Sequence, residues 1–167
     1  MSPPKLDAKV PEELTTEQVK AMLATCGTKY FHDIRDAAII RLMVESMVRA
    51  SELLAMTTGD VDIRAGSALV RRGKGGKGRL VPFGPQTGQA LDRDLRSRRR
   101  HALASTPPFW LAARGRVLSY DGLYTALRRR AESCGFTMHP HTLRSTGAIR
   151  WRAAGGSVPG LLTVAGW

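Results

Sequence analysis

Between Asp33 and Val48 the chain carries Ile34, Ala37, Ala38, Ile39, Ile40, Leu42, Met43, Val44, Met47 and Val48 with hardly a polar face. That pattern predicts a helix buried nearly all round, the spine of a core. Ahead of it, Thr15 and Gln18 are spaced as a capping box before Val19, Met22 and Leu23, which predicts a short helix ending near Gly27. Ser51 to Met56 reads as another short helix. The period then changes: Ser67 to Arg71 and Arg79 to Phe83 flank the glycine-rich run from Gly73 to Gly78, which predicts a hairpin, and Asp60 to Arg64 can pair as a third short strand. Helical spacing resumes after Pro85, over Thr87 to Leu103, Ser119 to Cys134 with Ser119 as cap, His141 to Ala154, and from Pro159, a residue suited to a first helical turn. The expected fold is mainly α with a small antiparallel β-sheet (α+β). Residues 1–13, rich in Pro and Lys, read as a linker or arm, and residues 14–167 as one domain.

Length and composition support a single core without staples: 167 residues, of which 43% are hydrophobic. Charge changes the picture more. Lys and Arg number 26 against 14 Asp and Glu, a net +12, which points to a polyanionic partner, duplex DNA first. Cys26 and Cys134 are too few for a disulfide framework or a four-ligand metal site, and read as reduced thiols of a cytoplasmic protein. No stretch approaches the roughly 18 apolar residues of a membrane span, and no membrane partner is expected.

The basic residues are clustered. Arg71, Arg72, Lys74, Lys77 and Arg79 share the hairpin, Arg93, Arg96 and Arg98 to Arg100 share one helix, and Arg128 to Arg130 another. One such cluster alone is ordinarily a solvated face; several together favour a surface that follows a phosphate backbone. The glycine loop is not a nucleotide-binding P-loop, because Gly76-Lys77 is followed by Gly78 where that motif needs Ser or Thr. Two strings carry candidate chemistry. In Arg49-Ala50-Ser51-Glu52-Leu53 an arginine next to the most buried helix has to find an anion, either Glu52 three residues on or a ligand. In His139-Pro140-His141-Thr142-Leu143-Arg144, His141 and Arg144 share one face of a helix start. The histidines have no carboxylate or cysteine nearby in sequence, so neither a metal nor a cofactor is expected.

Taken in order, Arg49-Ala50-Ser51-Glu52-Leu53, the hairpin ending Arg79-Leu80-Val81-Pro82, His141-Thr142-Leu143-Arg144 and Ala165-Gly166-Trp167 resemble the catalytic core of the tyrosine recombinase (phage integrase) family, from about Leu14 to the last residue. The resemblance implies site-specific DNA strand cleavage and religation through a 3′-phosphotyrosyl intermediate. It assigns Arg49, Lys74, His141, Arg144 and Trp167 to the scissile phosphate, with Glu52 supporting Arg49. Arg71, Arg72, Lys77, Arg79 and Arg150 are expected DNA contacts, and other protomers of a recombination synapse are expected partners. Three departures stand out. Ser46-Met47-Val48 replaces the family's usual Thr-Gly-Leu, Ser145 stands where a second histidine is frequent, and Trp167 where histidine is commoner.

The family's nucleophilic tyrosine follows the Trp167 position by two or three helical turns, so on this reading the chain stops short of it. Tyr30, Tyr120 and Tyr124 precede His141, in the wrong order for that role. The expected chemistry is then a phosphate held by two arginine forks, which stabilise charge as it grows on the non-bridging oxygens. A lysine on a loop supplies the proton for the departing 5′ oxygen. Type IB topoisomerase-like chemistry and a non-catalytic basic DNA-binding module are the alternatives. The module does not account for Arg49, Lys74, His141 and Arg144 arriving in that order.

Overall fold

The computed structural model describes residues 13–71 and 78–167. The expected arm, but for Glu13, and the hairpin tip with Arg72, Lys74 and Lys77 therefore lie outside the described residues. Helix α1 (Thr16–Ala24) opens with the capping box, in which Thr15 Oγ1 accepts from Gln18 N at 3.1 Å and Gln18 Oε1 accepts from Thr15 N at 2.9 Å. Helix α2 (Phe31–Ser46) buries Ala38, Ile39, Ile40, Leu42, Met43 and Val44, as its pattern dictates. It packs between α4 (Pro85–Arg98) and α6 (Pro140–Ala153). Short α3 (Ala50–Leu54) follows, and then a 3-10 turn (Thr58–Asp60) leads into the sheet.

That sheet is antiparallel in the order β1 (Val61–Asp62), β2 (Ser67–Val70), β3 (Arg79–Pro82), with Leu69 opposite Leu80 and Val70 opposite Arg79. The register buries Ala68, Val70 and Val81 against the helices. It turns Leu80 to solvent, where it is 65% exposed. Helix α5 (Tyr120–Ser133) begins at its Ser119 cap, and α7 (Val158–Ala165) carries Pro159 in its first turn.

Two differences from the sequence pattern have physical causes. Helix α4 ends at Arg98, not at Leu103, because the Arg98 side chain turns inward and donates to the carbonyls of Leu103, Ala104, Thr106, Pro108 and Phe109. The chain winds around a buried guanidinium instead of continuing the helix. A second hairpin, β4 (Leu111–Ala112) with β5 (Arg116–Val117), turns through Arg114 and Gly115 at φ 60° and 71°. Strands of two residues leave no readable alternation.

Helices α2 and α6 meet closely at Gly147. A β-carbon there would lie 2.2 Å from the Val44 carbonyl oxygen and 2.7 Å from Met47 Cγ. The contact is helix backbone, which cannot rotate away. Gly147→Ala should therefore lower unfolding free energy by about 1–3 kcal/mol, the usual range for overpacking, as read from urea denaturation; an unchanged midpoint would show that the two helices separate freely.

Candidate functional site

Three arginines far apart in sequence converge on one carboxylate and one helix end. Arg49 lies between α2 and α3. Its backbone N–H donates to Glu52 Oε2 at 2.9 Å, so Glu52 caps the start of its own helix, and Arg49 Nη1 donates to Glu52 Oε1 at 2.8 Å. Arg79, at the head of β3, forks onto the same carboxylate: Nη1 to Oε1 at 2.8 Å and Nη2 to Oε2 at 2.9 Å. Arg144, on α6, is 2% exposed and donates through Nη1 to the carbonyls of Met47 and Ala165, both at 2.9 Å.

The C-terminus of α7 completes the cluster. Its last carbonyls carry the negative end of the helix dipole and have no intrahelical partner. Here the arginines supply one: Val164 O accepts from Arg79 Nε at 2.8 Å, Ala165 O from Arg144 and Arg79, and Gly166 O from Arg49 Nη2 at 3.0 Å. Gly166 is needed twice over. Its φ is +69°, and a β-carbon there would lie 2.7 Å from Arg79 Cζ, so the guanidinium lies flat against the glycine. Beyond it, the Trp167 ring stacks 4.9 Å from Arg144 Cζ while remaining 46% exposed.

Three positive charges face one negative one. Burial raises the Glu52 carboxyl, but the hydrogen bonds and charges of Arg79 and Arg49 outweigh that and hold it down at about 2. Burial lowers Arg144 to about 10, assisted by the positive charges of Arg49 and Arg79. It remains a cation at neutral pH, and its Nη2 is buried without a hydrogen-bond partner among the described residues. A guanidinium carries five N–H groups. Arg144 and Arg49 each use two on described residues, whereas Arg79 makes four hydrogen bonds. The cluster thus has positive charge and donors to spare at Arg49 and Arg144, the chemistry of an anion site.

Of the other residues expected at the site, His141 is exposed in the first turn of α6, one turn before Arg144, its ring 6.2 Å from that of His139. Lys74, Lys77 and Arg72 lie outside the described residues. Arg71 pairs with buried Asp60 at 2.6 Å and keeps 63% of its side chain exposed. Arg79, expected on DNA, has a side chain only 11% exposed and directed at Glu52. Arg150 is not brought to the cluster: it lines a separate cavity of about 360 Å³ with Arg41, Glu45, Gln86 and Trp151. Sequence reading missed the role of the α7 carbonyls, since backbone groups leave no residue signal. It also missed the Arg79–Glu52 pairing, across 27 positions and without any local motif.

Comparison with known proteins bears directly on this arrangement. The profile described as the phage integrase family matches residues 12–167. The chain belongs to that family. Among curated relatives, tyrosine recombinase XerD of Ralstonia nicotianae is 35% identical over 148 residues, which cover 86% of this chain and 48% of the relative. XerD of Mycobacterium leprae is 34% identical over 168 residues, covering 93% and 53%. The integrase-family chain described here thus spans about half the length of these relatives. The fold matches the crystal structure of XerA recombinase with a TM-score of 0.85 at 23% identity, over 99% of this chain and 58% of that one. It matches XerH site-specific recombinase bound to its difH substrate with a TM-score of 0.77 at 20% identity, over 95% and 48%. The mainly α architecture with its small antiparallel sheet is the one these recombinases share.

The depressed Glu52 carboxyl sets a pH dependence. Its folded value of about 2 lies below the ordinary 4.5, so its stabilising contribution is complete above about pH 4.5 and is lost as pH falls towards 2. Melting temperatures of the parent and Glu52→Gln should therefore differ most above pH 5 and converge on acidification to pH 3. A difference that stays constant over that window would mean that Glu52 is not held ionised by its arginines.

Proposed function

We propose that this domain is the phosphate-activating part of a site-specific recombinase, which cleaves and rejoins duplex DNA through a 3′-phosphotyrosyl intermediate within a synapse of several protomers in the cytoplasm. The observation that carries the reading is the pair Arg49 and Arg144, side by side with unused donors and more positive charge than Glu52 balances. A phosphodiester supplies the missing anion. As the nucleophile attacks, charge grows on its non-bridging oxygens, and fixed guanidinium forks stabilise that charge without reorganising. The Trp167 indole N–H and the His141 ring are further donors to the same phosphate, and His141 can also accept a proton from the attacking hydroxyl. Lys74 is assigned the proton for the leaving 5′ oxygen. The phosphotyrosyl ester conserves the energy of the broken bond, so religation needs no nucleotide.

On this reading the attacking tyrosine is none of Tyr30, Tyr120 and Tyr124, all of which precede His141 in the chain; Tyr30 stacks on His32 before α2, and Tyr124 lies under Arg128 on α5. Support for DNA as substrate comes from the +12 charge and from the XerH neighbour, solved on DNA. No helix of the described residues is long and apolar enough to cross a membrane.

Two measurements test this. Binding of the chain to duplex DNA should weaken roughly a thousandfold between about 50 and 200 mM salt if about six phosphates are contacted; a flat response would exclude a phosphate-backbone interface. The second uses a recombinase that carries this domain together with its tyrosine, and a substrate whose bridging 5′ oxygen is sulfur. A thiolate leaves without a proton, so cleavage by Lys74→Ala should be rescued on that substrate, and cleavage by Arg49→Ala or Arg144→Ala should not. Equal rescue of all three, or rescue of Lys77→Ala instead, would assign the acid elsewhere.

A further inference from the structure

The donor count separates the three arginines into two kinds. Among the described residues Arg49 and Arg144 leave N–H groups unused, while Arg79 has four hydrogen bonds inside the protein and a side chain only 11% exposed. We infer that Arg79 is a positioning residue: by forking onto Glu52 and onto the carbonyls of Val164 and Ala165, it holds Arg49 and Arg144 in the geometry that grips the phosphate, without touching the phosphate itself. The inference rests on the proposed reading of Arg49 and Arg144 as the phosphate ligands.

Arg49 and Arg79 meet at Glu52. Its two oxygens meet three donors besides the Arg49 backbone: the Arg49 Nη1 and both Arg79 terminal nitrogens. If Arg79 were absent, Arg49 alone would face the full charge of a buried carboxylate. It would then exchange between its present single bond and the fork that Arg79 now occupies, and its spare donors would no longer be held in one direction. With Arg79 present, Arg49 gives Glu52 a single nitrogen and reaches Gly166 O with the other.

Helix α7 is the second link between the arginines. Arg144 Nη1 donates to Ala165 O, and Trp167 stacks on the Arg144 guanidinium, so both depend on where α7 ends. Arg79 fixes that same end through Val164 O and Ala165 O and by packing flat on Gly166. One guanidinium thereby joins the sheet, α3 and α7. Lysine cannot replace it: a single ammonium has the charge but lacks the planar fork needed to satisfy two carboxylate oxygens and two carbonyls at once.

Arg79→Lys and Arg79→Met in this chain test the idea, with Glu52→Gln as an independent variant that breaks the same link from the other partner. Two readouts are needed, each on protein shown by circular dichroism to be folded at the temperature used. The first is the slope of log affinity for a DNA duplex against log salt. Each phosphate contact contributes about 0.9 to that slope, so Arg79→Met should lower it only through the contacts of Arg49 and Arg144, that is, only where their side-chain signals change as well. The second is the guanidinium 15N–1H spectrum. Restricted rotation gives Arg144 and Arg49 resolved Nη–H signals in the parent, and these should average in both Arg79→Lys and Arg79→Met, while backbone signals of α4 and α5 stay in place.

Glu52→Gln should produce the same averaging at Arg49 with Arg79 intact, which keeps the test decisive if Arg79→Met does not fold. A slope lowered by about 0.9 with the Nη–H signals intact would make Arg79 a DNA contact and overturn the inference. Signals that persist in Arg79→Lys and in Glu52→Gln would overturn it as well. If the parent binds no DNA at any salt, the phosphate-ligand reading fails, while the spectra still decide whether Arg79 orders Arg49 and Arg144.

Discussion

Glu52 is buried to 7% exposure, and a carboxylate taken out of water at such a place is costly unless its partners are close and well aimed. Its partners come from three directions. The Arg49 backbone ties it to the start of α3, the Arg49 side chain to the exit of the spine helix, and Arg79 to the head of β3. Those same arginines reach the carbonyl end of α7. One acidic side chain thus decides how four elements meet, and because it balances only one of three positive charges, it leaves the junction electropositive. The stability of the junction and its capacity to bind an anion are therefore one property. A second carboxylate here would cancel part of the excess positive charge.

The turn that delivers Arg49 carries its own cost. Met47 ends α2 in the left-handed region at φ 58°, where a side chain is strained by about 1–3 kcal/mol. The family usually has glycine at this position, and glycine would carry no strain. The structure shows what offsets it: Met47 is fully buried in a small cluster with Ala148, Leu161 and Ala165, which seats α7 on α6. Its carbonyl accepts from Arg144 at 2.9 Å. The turn that glycine makes by conformational freedom is made here by a residue whose side chain helps to hold the last helix. This departure from the family motif lies on the path connecting Arg49 to Arg144.

How much could be read in advance follows from the range of each interaction. Periodicity located the spine helix and its neighbours because burial acts on every third or fourth residue, and caps such as Thr15 and Ser119 set helix starts because their hydrogen bonds are local. The Arg49–Glu52 contact was legible for the same reason, at a spacing of three. Arg49 and Arg144 were brought together only by the family resemblance, and the place of Arg79 between them was not legible, since its partners are carbonyls and a carboxylate brought in by folding. The two-residue strands β4 and β5 fall below any period, and the early stop of α4 depends on where a single arginine side chain goes.

Charge shows the same limit in a form that bears on function. Read as a list, the basic residues form clusters on the hairpin, on α4 and on α5, each resembling a surface for phosphates. In the fold, each cluster sends one arginine inward. Arg79 goes to Glu52, Arg98 to five carbonyls, and Arg130 to Asp33 and Asp36 at 2.7 and 2.8 Å with only 10% of its side chain exposed. These cations are committed to holding loops and helices, and a polyanion can recruit them only by breaking those bonds. Arg144, buried at 2% exposure, differs from these three, because its Nη2 remains unpartnered among the described residues, as does that of Arg150 in its separate cavity. Net charge therefore overstates the number of phosphates this domain can neutralise. What distinguishes its site from the rest of its basic surface is that two arginines with donors unused among the described residues are held at one helix end beside a single carboxylate.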